Sequence, residues 1–158
     1  MRILKLALIS FICFFLLLTL ISLLVPSQIR LSKAINIAPK KNVIMSLITD
    51  TSRWKEWHPM FKTSAQNSVE PVSANDSVII KKTTGKSGRT VTNGWQVYNY
   101  AHSDSLTVQW YMDIDLQWYP WQKFGSLFYE ATYGSMMQQG LVDLKTLVEG
   151  KENETRKP

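Results

Sequence analysis

The chain has one cysteine, Cys13, and two histidines, His58 and His102, among its 158 residues. A lone cysteine forms no intrachain disulfide. Three Cys and His side chains fall one short of the four that a structural zinc site takes. Cys13 sits inside an apolar run, so a Cys–His nucleophilic pair has nothing to build on. Gly85-Lys86-Ser87 has the tail of a phosphate loop, but Ile80 stands where the first glycine belongs. No metal and no cofactor is therefore expected. The excess of 18 Lys+Arg over 12 Asp+Glu gives a modest net charge of +6, part of it flanking the apolar run, and no nucleic-acid partner is expected.

Apolar side chains are abundant at the amino end. Residues 6–25 carry no charge, and fifteen of those twenty are Leu, Ile, Phe or Val. As a helix rising ~1.5 Å per residue, the run is about 30 Å long, the thickness of a bilayer core. At roughly 0.3–0.6 kcal/mol per large aliphatic, insertion is favoured by at most on the order of 5–9 kcal/mol. A cleaved signal peptide explains the run less well. Its apolar core is typically about 7–15 residues, and no small-x-small site follows Val25. The expectation is an uncleaved anchor over residues 1–28 whose partner, through residues 6–25, is the lipid bilayer. Basic residues stand on both sides, Arg2 and Lys5 against Arg30, Lys33, Lys40 and Lys41, so charge alone does not set its direction.

The soluble part is expected to occupy residues 29–149, followed by a polar, frayed tail, 150–158. Residues 30–37 alternate loosely as a first strand. Pro39 opens a short helix over 40–49, with Val43, Ile44, Leu47 and Ile48 inward. Asp50-Thr51-Ser52 caps a second short helix carrying Trp54 and Trp57, which Pro59 ends. Residues 64–76 are polar, with a short edge strand near 67–70. Strands are expected at 78–84 and 91–100, linked by a glycine-bearing turn at 85–88. The clearest strand is 106–116: Leu106, Val108, Trp110, Met112, Ile114 and Leu116 alternate with Thr107, Gln109, Tyr111, Asp113 and Asp115. From about 122 to 149 the period becomes helical. Phe124, Leu127, Phe128 and Ala131 form one apolar stripe, which Met137, Leu141, Leu144 and Val148 continue after a bend at Gly134. Antiparallel strands followed by a long amphipathic helix bury both apolar faces when a curved sheet grips that helix.

Two groups of residues are specific together. At the front, Ala38-Pro39 precedes the apolar helix and the turn Trp54-Lys55-Glu56-Trp57-His58-Pro59. At the back, Val108-Gln109-Trp110 leads to Tyr119-Pro120-Trp121-Gln122-Lys123-Phe124 and then Gly140-Leu141-Val142-Asp143-Leu144-Lys145. This pattern resembles the START-like helix-grip superfamily, also called SRPBCC, which includes lipid-transfer domains, polyketide cyclases and plant ligand carriers. It is most similar to bacterial members with an amino-terminal membrane anchor. The resemblance implies an α+β helix-grip fold, a curved antiparallel sheet wrapped around a long C-terminal helix, preceded by one transmembrane helix. It also implies a single-pass protein of a bacterial inner membrane with a periplasmic domain. Two departures stand out. The polar middle, residues 64–89, is short, so one or two strands are expected to be reduced. Longer relatives continue into a second domain resembling gyrase-inhibitor-like effector-binding modules, and nothing of that domain carries over.

The helix-grip architecture implies a cavity between sheet and helix. Its candidate ligand-binding residues are Trp110, Met112 and Ile114 from the strand, Leu127, Phe128, Ala131 and Met137 from the helix, and Trp54 and Trp57 at the mouth. The same residues serve equally as plain core. Trp118 and Trp121 suit a headgroup layer or a tightly packed turn. Lys81, Lys82, Lys86 and Arg89 make a basic hairpin, the mark of a solvated edge. Asp113 and Asp115 point away from the core, and neither histidine has an evident partner, so no catalytic residue is nominated. The expected function is a membrane-anchored binding domain for a hydrophobic small molecule or lipid. A polyketide cyclase/dehydrase-like enzyme and a sensory or scaffolding module with a filled core are the alternatives.

Overall fold

A computed structural model describes residues 2–38, 40–63, 68–84, 90–101 and 103–155. The apolar run forms α1 (Arg2–Ser22), long and apolar enough to cross a membrane. The rest is one antiparallel sheet with helices on its inner face. Strands β1 (Gln28–Ile37), β2 (Ser68–Ala74), β3 (Val78–Thr84), β4 (Thr90–Asn99) and β5 (Leu106–Asp115) lie in the order β1-β5-β4-β3-β2. Between β1 and β2 come α2 (Lys41–Thr49), a 3-10 turn (Thr51–Arg53), α3 (Trp54–Trp57) and α4 (Pro59–Thr63). After β5 the chain winds through α5 (Pro120–Gly125), a 3-10 turn (Ser126–Phe128), a π turn (Glu130–Gly134) and α6 (Ser135–Thr155). The α+β helix-grip expectation holds: a curved five-stranded sheet, a long C-terminal helix and an apolar N-terminal helix.

Strand period sets the two sheet faces. Leu106, Val108, Trp110, Met112 and Ile114 point inward from β5 and are buried. The intervening polar residues face out and tie neighbouring strands together. Arg30 grips Asp113 with two hydrogen bonds of 2.6 and 2.7 Å, and Gln28 donates to Asp115. Tyr98 donates to Gln109, which donates in turn to Ser32. Tyr111 lies flat over Gly94 in β4, where an added Cβ would stand 2.0 Å from its ring. α6 seals the inner face with Met137, Gly140, Leu141, Leu144 and Val148, a stripe at helical spacing. Gly140 permits the approach: a Cβ there would meet Pro59 at 2.8 Å and Trp110 at 2.9 Å.

Several boundaries differ from expectation for local reasons. α3 does end at Trp57, with an extended His58 ahead of Pro59, but Pro59 also opens a further short helix, α4, at a first helical position where no N–H is needed. β2 runs on through Pro71 to Ala74, because a register shift between Pro71 and Ser73 accommodates the proline on an edge strand. The last helix begins at Pro120, not near 122, and runs past Gly150 to Thr155, where a frayed tail was expected. Pro39, His102, Lys86, Arg89 and the glycine turn at 85–88 lie outside the described residues.

The largest difference concerns the stripe Phe124, Leu127, Phe128 and Ala131. In the α5 to 3-10 segment the buried positions are Pro120, Lys123 and Ser126, spaced three apart. Pro120–Gly125 is α-helical and only Ser126–Phe128 is wound as 3-10; the inward line through Lys123 and Ser126 leaves Leu127 and Phe128 facing out. The following π turn shifts the phase again before Met137 comes inward.

Candidate ligand-binding site

Three of the helix candidates, Leu127, Phe128 and Ala131, are exposed on the opposite side from the core. The other six, Trp54, Trp57, Trp110, Met112, Ile114 and Met137, belong to one buried cluster between sheet and helices, none more than 1% exposed. Strand register places Trp110 directly beside Trp95, Met112 beside Asn93 and Ile114 beside Val91.

The indoles are fixed by hydrogen bonds as well as by packing. Trp54 donates from Nε1 to the carbonyl of Ile48 at 2.9 Å, and Trp57 donates to that of Leu47 at 3.3 Å. Lys81 donates to the carbonyl of Thr49. These three carbonyls end α2, where no intrahelical donor remains. The Trp-x-x-Trp spacing thus cements α2 to the sheet. Lys81 also stands 5.0 Å from the Trp54 ring centroid, a cation–π contact. Burial holds its ammonium below the usual lysine range, and nearby Asp50 opposes that shift. Lys81 is only 6% exposed, so the solvated-hairpin expectation fails for it. In β3 it shares the inward side with Ile79 and Thr83, while Lys82 faces out.

A second polar line crosses the inner face. Trp110 donates from Nε1 to Asn93 Oδ1 at 3.1 Å, and Asn93 donates from Nδ2 to Thr83 Oγ1 at 3.1 Å. All three are buried. Cross-strand pairing brings them side by side, and each satisfies the next.

His58 is the side chain that sequence reasoning undervalued. It lies in a box of Trp54, Trp57, Phe61, Trp95 and Trp110, with ring centroids 4.8–6.3 Å away, and stacks on Trp54. It is 1% exposed, and neither ring nitrogen has a hydrogen-bond partner; Trp95 Nε1 shares that condition. Desolvation pushes the imidazole pKa down to about 3, so the ring is neutral at physiological pH. Its position between two tryptophans and a proline was visible in the sequence. Nothing there placed Trp95 and Trp110, from distant strands, against it.

Lys123 is buried where α5 meets the link from α1 to β1. It is 2% exposed and donates to the Val25 carbonyl at 2.6 Å and to Ser27 Oγ at 2.9 Å. Val25 follows α1, whose last carbonyls attract a cation. Leu116 N–H donates to the Ser27 carbonyl at 2.7 Å, so the link from α1 to β1 is held from β5 and α5 together.

No protein-family model matches the chain, and no curated protein matches it. Solved structures do match in fold. The di-domain ARO/CYC protein StfQ from the steffimycin biosynthetic pathway superposes with TM-score 0.61 at 9% identity, over 80% of this chain and 52% of that one. A START superfamily protein from Mycobacterium smegmatis gives 0.56 at 14% identity, over 77% and 97%. A Staphylococcus aureus protein of unknown function, SA2116, gives 0.52 at 9% identity, over 77% and 96%. The chain spans about half the length of the di-domain proteins it matches. At such identities the likeness is one of fold, and the fold is that of START and ARO/CYC proteins.

Proposed function

We propose that this chain is a membrane-anchored helix-grip domain that binds a hydrophobic small molecule or lipid, with α1 as the anchor. One observation carries the binding part. The inner wall is apolar and aromatic, yet it holds two buried side chains, His58 and Trp95, whose ring nitrogens find no partner among the described residues. An apolar wall with a few unsatisfied polar atoms is the make-up of a pocket that orients an apolar ligand by its one polar end. Met112 and Met137 give that wall side chains able to repack around a guest. The fold neighbours support the binding architecture, and the length and composition of α1 support the anchor.

A cyclase-like enzyme would need a polar group inside with a pKa suited to proton transfer. The inner face does hold His58, Lys81, Asn93 and Thr83, but Asn93, Thr83 and Lys81 are engaged within the protein. His58, with its pKa near 3, is a poor base at neutral pH. The chemistry therefore favours binding over catalysis.

The test is photolabelling of the full chain in lipid nanodiscs doped with a diazirine fatty acid. Adducts on peptides carrying Met112 or Met137 are the expected result. Adducts confined to α1 would leave a membrane protein with a filled core and remove the ligand-binding reading.

A further inference from the structure

The outward side of residues 118–128 has an unusual composition. Trp118 is 58% exposed, Tyr119 36%, Trp121 65%, Leu127 67% and Phe128 70%. The aromatic members contact one another at 4.9 Å between centroids, Trp118 tilted on Tyr119 and Tyr119 stacked on Trp121. Between residues 116 and 128 the only charged side chain is Lys123, and it points inward. An apolar shelf of this size, with no charge on it, is not what a water-facing helix presents.

Its place in the fold says what covers it. α1 packs against α5, and Lys123 ties α5 to the residues that leave α1. At that end of α1, Leu23 and Leu24 are exposed as well, so apolar surface continues from the helix toward the shelf. Indole and phenol rings favour the layer where hydrocarbon meets headgroups. A short helix with its apolar side turned out and its polar side turned in lies well in the plane of that layer.

We propose that the face formed by Trp118, Tyr119, Trp121, Leu127 and Phe128 is a second membrane contact, seated in the headgroup layer where α1 leaves the bilayer. This rests on α1 being the anchor. The shelf pins the base of the domain to the membrane surface, so the helix-grip core is held beside the lipid rather than on a loose stalk.

The full chain is reconstituted in phosphatidylcholine vesicles whose acyl chains are brominated near the headgroup end. α1 contains no tryptophan, and Trp54, Trp57, Trp95 and Trp110 are fully buried, so bromine quenching reports on Trp118 and Trp121. Cys13, the one cysteine, lies within α1, and its protection from a water-soluble maleimide reports independently on insertion. The expected result is a protected Cys13 and strong quenching, lost in the Trp118→Phe/Trp121→Phe variant. Leu127→Ser/Phe128→Ser keeps both indoles and is expected to reduce their quenching. A protected Cys13 with no quenching overturns the shelf and leaves the anchor standing. A labelled Cys13 overturns the anchor and with it a contact placed where α1 leaves the bilayer. Lack of quenching together with self-association that Leu127→Ser/Phe128→Ser abolishes would assign the face to a second copy of the chain and overturn the proposal.

Discussion

The two halves of the final helical segment obey opposite rules. From Met137 to Val148, apolar residues turn in and polar residues turn out, as on any helix covering a sheet. From Pro120 to Phe128 the order is reversed: Lys123 and Ser126 are buried, and Trp121, Leu127 and Phe128 face out. The same chain direction and similar composition give two different surfaces. Winding is α-helical in both α5 and α6 and tightens to 3-10 only at Ser126–Phe128. The inner partner decides the difference. α6 faces the apolar side chains of the sheet, whereas α5 faces the link after α1, where the Val25 carbonyl and the Ser27 hydroxyl accept from Lys123.

Four variants break or sharpen this contrast. The largest effect belongs to the α6 half. Trp110→Ala removes a fully buried indole that abuts Gly140 and leaves Asn93 Oδ1 without its donor. A loss of roughly 3–5 kcal/mol is expected in chemical unfolding of the full chain in detergent.

His58 gives the next effect through pH. Its folded pKa, about 3, lies below the ordinary 6.5, so the unfolded chain binds the proton more readily. Stability is then full above about pH 6.5 and falls by about 1.4 kcal/mol per pH unit as pH drops toward 4.5. His58→Phe is expected to flatten that slope, seen as a Tm that no longer falls over the same range.

Lys123→Met tests the reversed half. It removes the donor to Val25 and Ser27, and a loss of about 1–3 kcal/mol is expected with no change in sheet content by circular dichroism. The smallest effect should come from Leu127→Ser/Phe128→Ser. Both residues face out, so stability in detergent should shift by about 0.5 kcal/mol or less. A loss comparable to that of Trp110→Ala would place them in the core and erase the contrast.

The sequence displayed the sheet more clearly than the helix. Period-2 alternation from Leu106 to Leu116 was unambiguous, and the buried residues of β5 follow it. Trp54 and Trp57 read as a cavity mouth or plain core, and Trp110 as a cavity wall or plain core; all three are buried. The stripe Phe124, Leu127, Phe128 and Ala131 misled because helical period was assumed constant, and no residue announces a 3-10 or π turn. Lys81 misled for a different reason. A lysine in an edge-like strand looks solvated, and only the Thr49 carbonyl at the end of α2 and the Trp54 ring of α3 make its burial tolerable. His58 shows a third limit, since its aromatic box draws Trp95 and Trp110 from strands 37 and 52 residues further along the chain.

The short link after α1 bears on mechanics. Residues 23–27 are gripped by Lys123 and by the Leu116 amide, which leaves little slack between the helix and the first strand. A domain on a slack leash explores a wide hemisphere and meets its surroundings by diffusion. One with a stiff ankle leans when its helix leans, so under the anchoring by α1 proposed above a tilt of the helix becomes a rotation of the whole sheet.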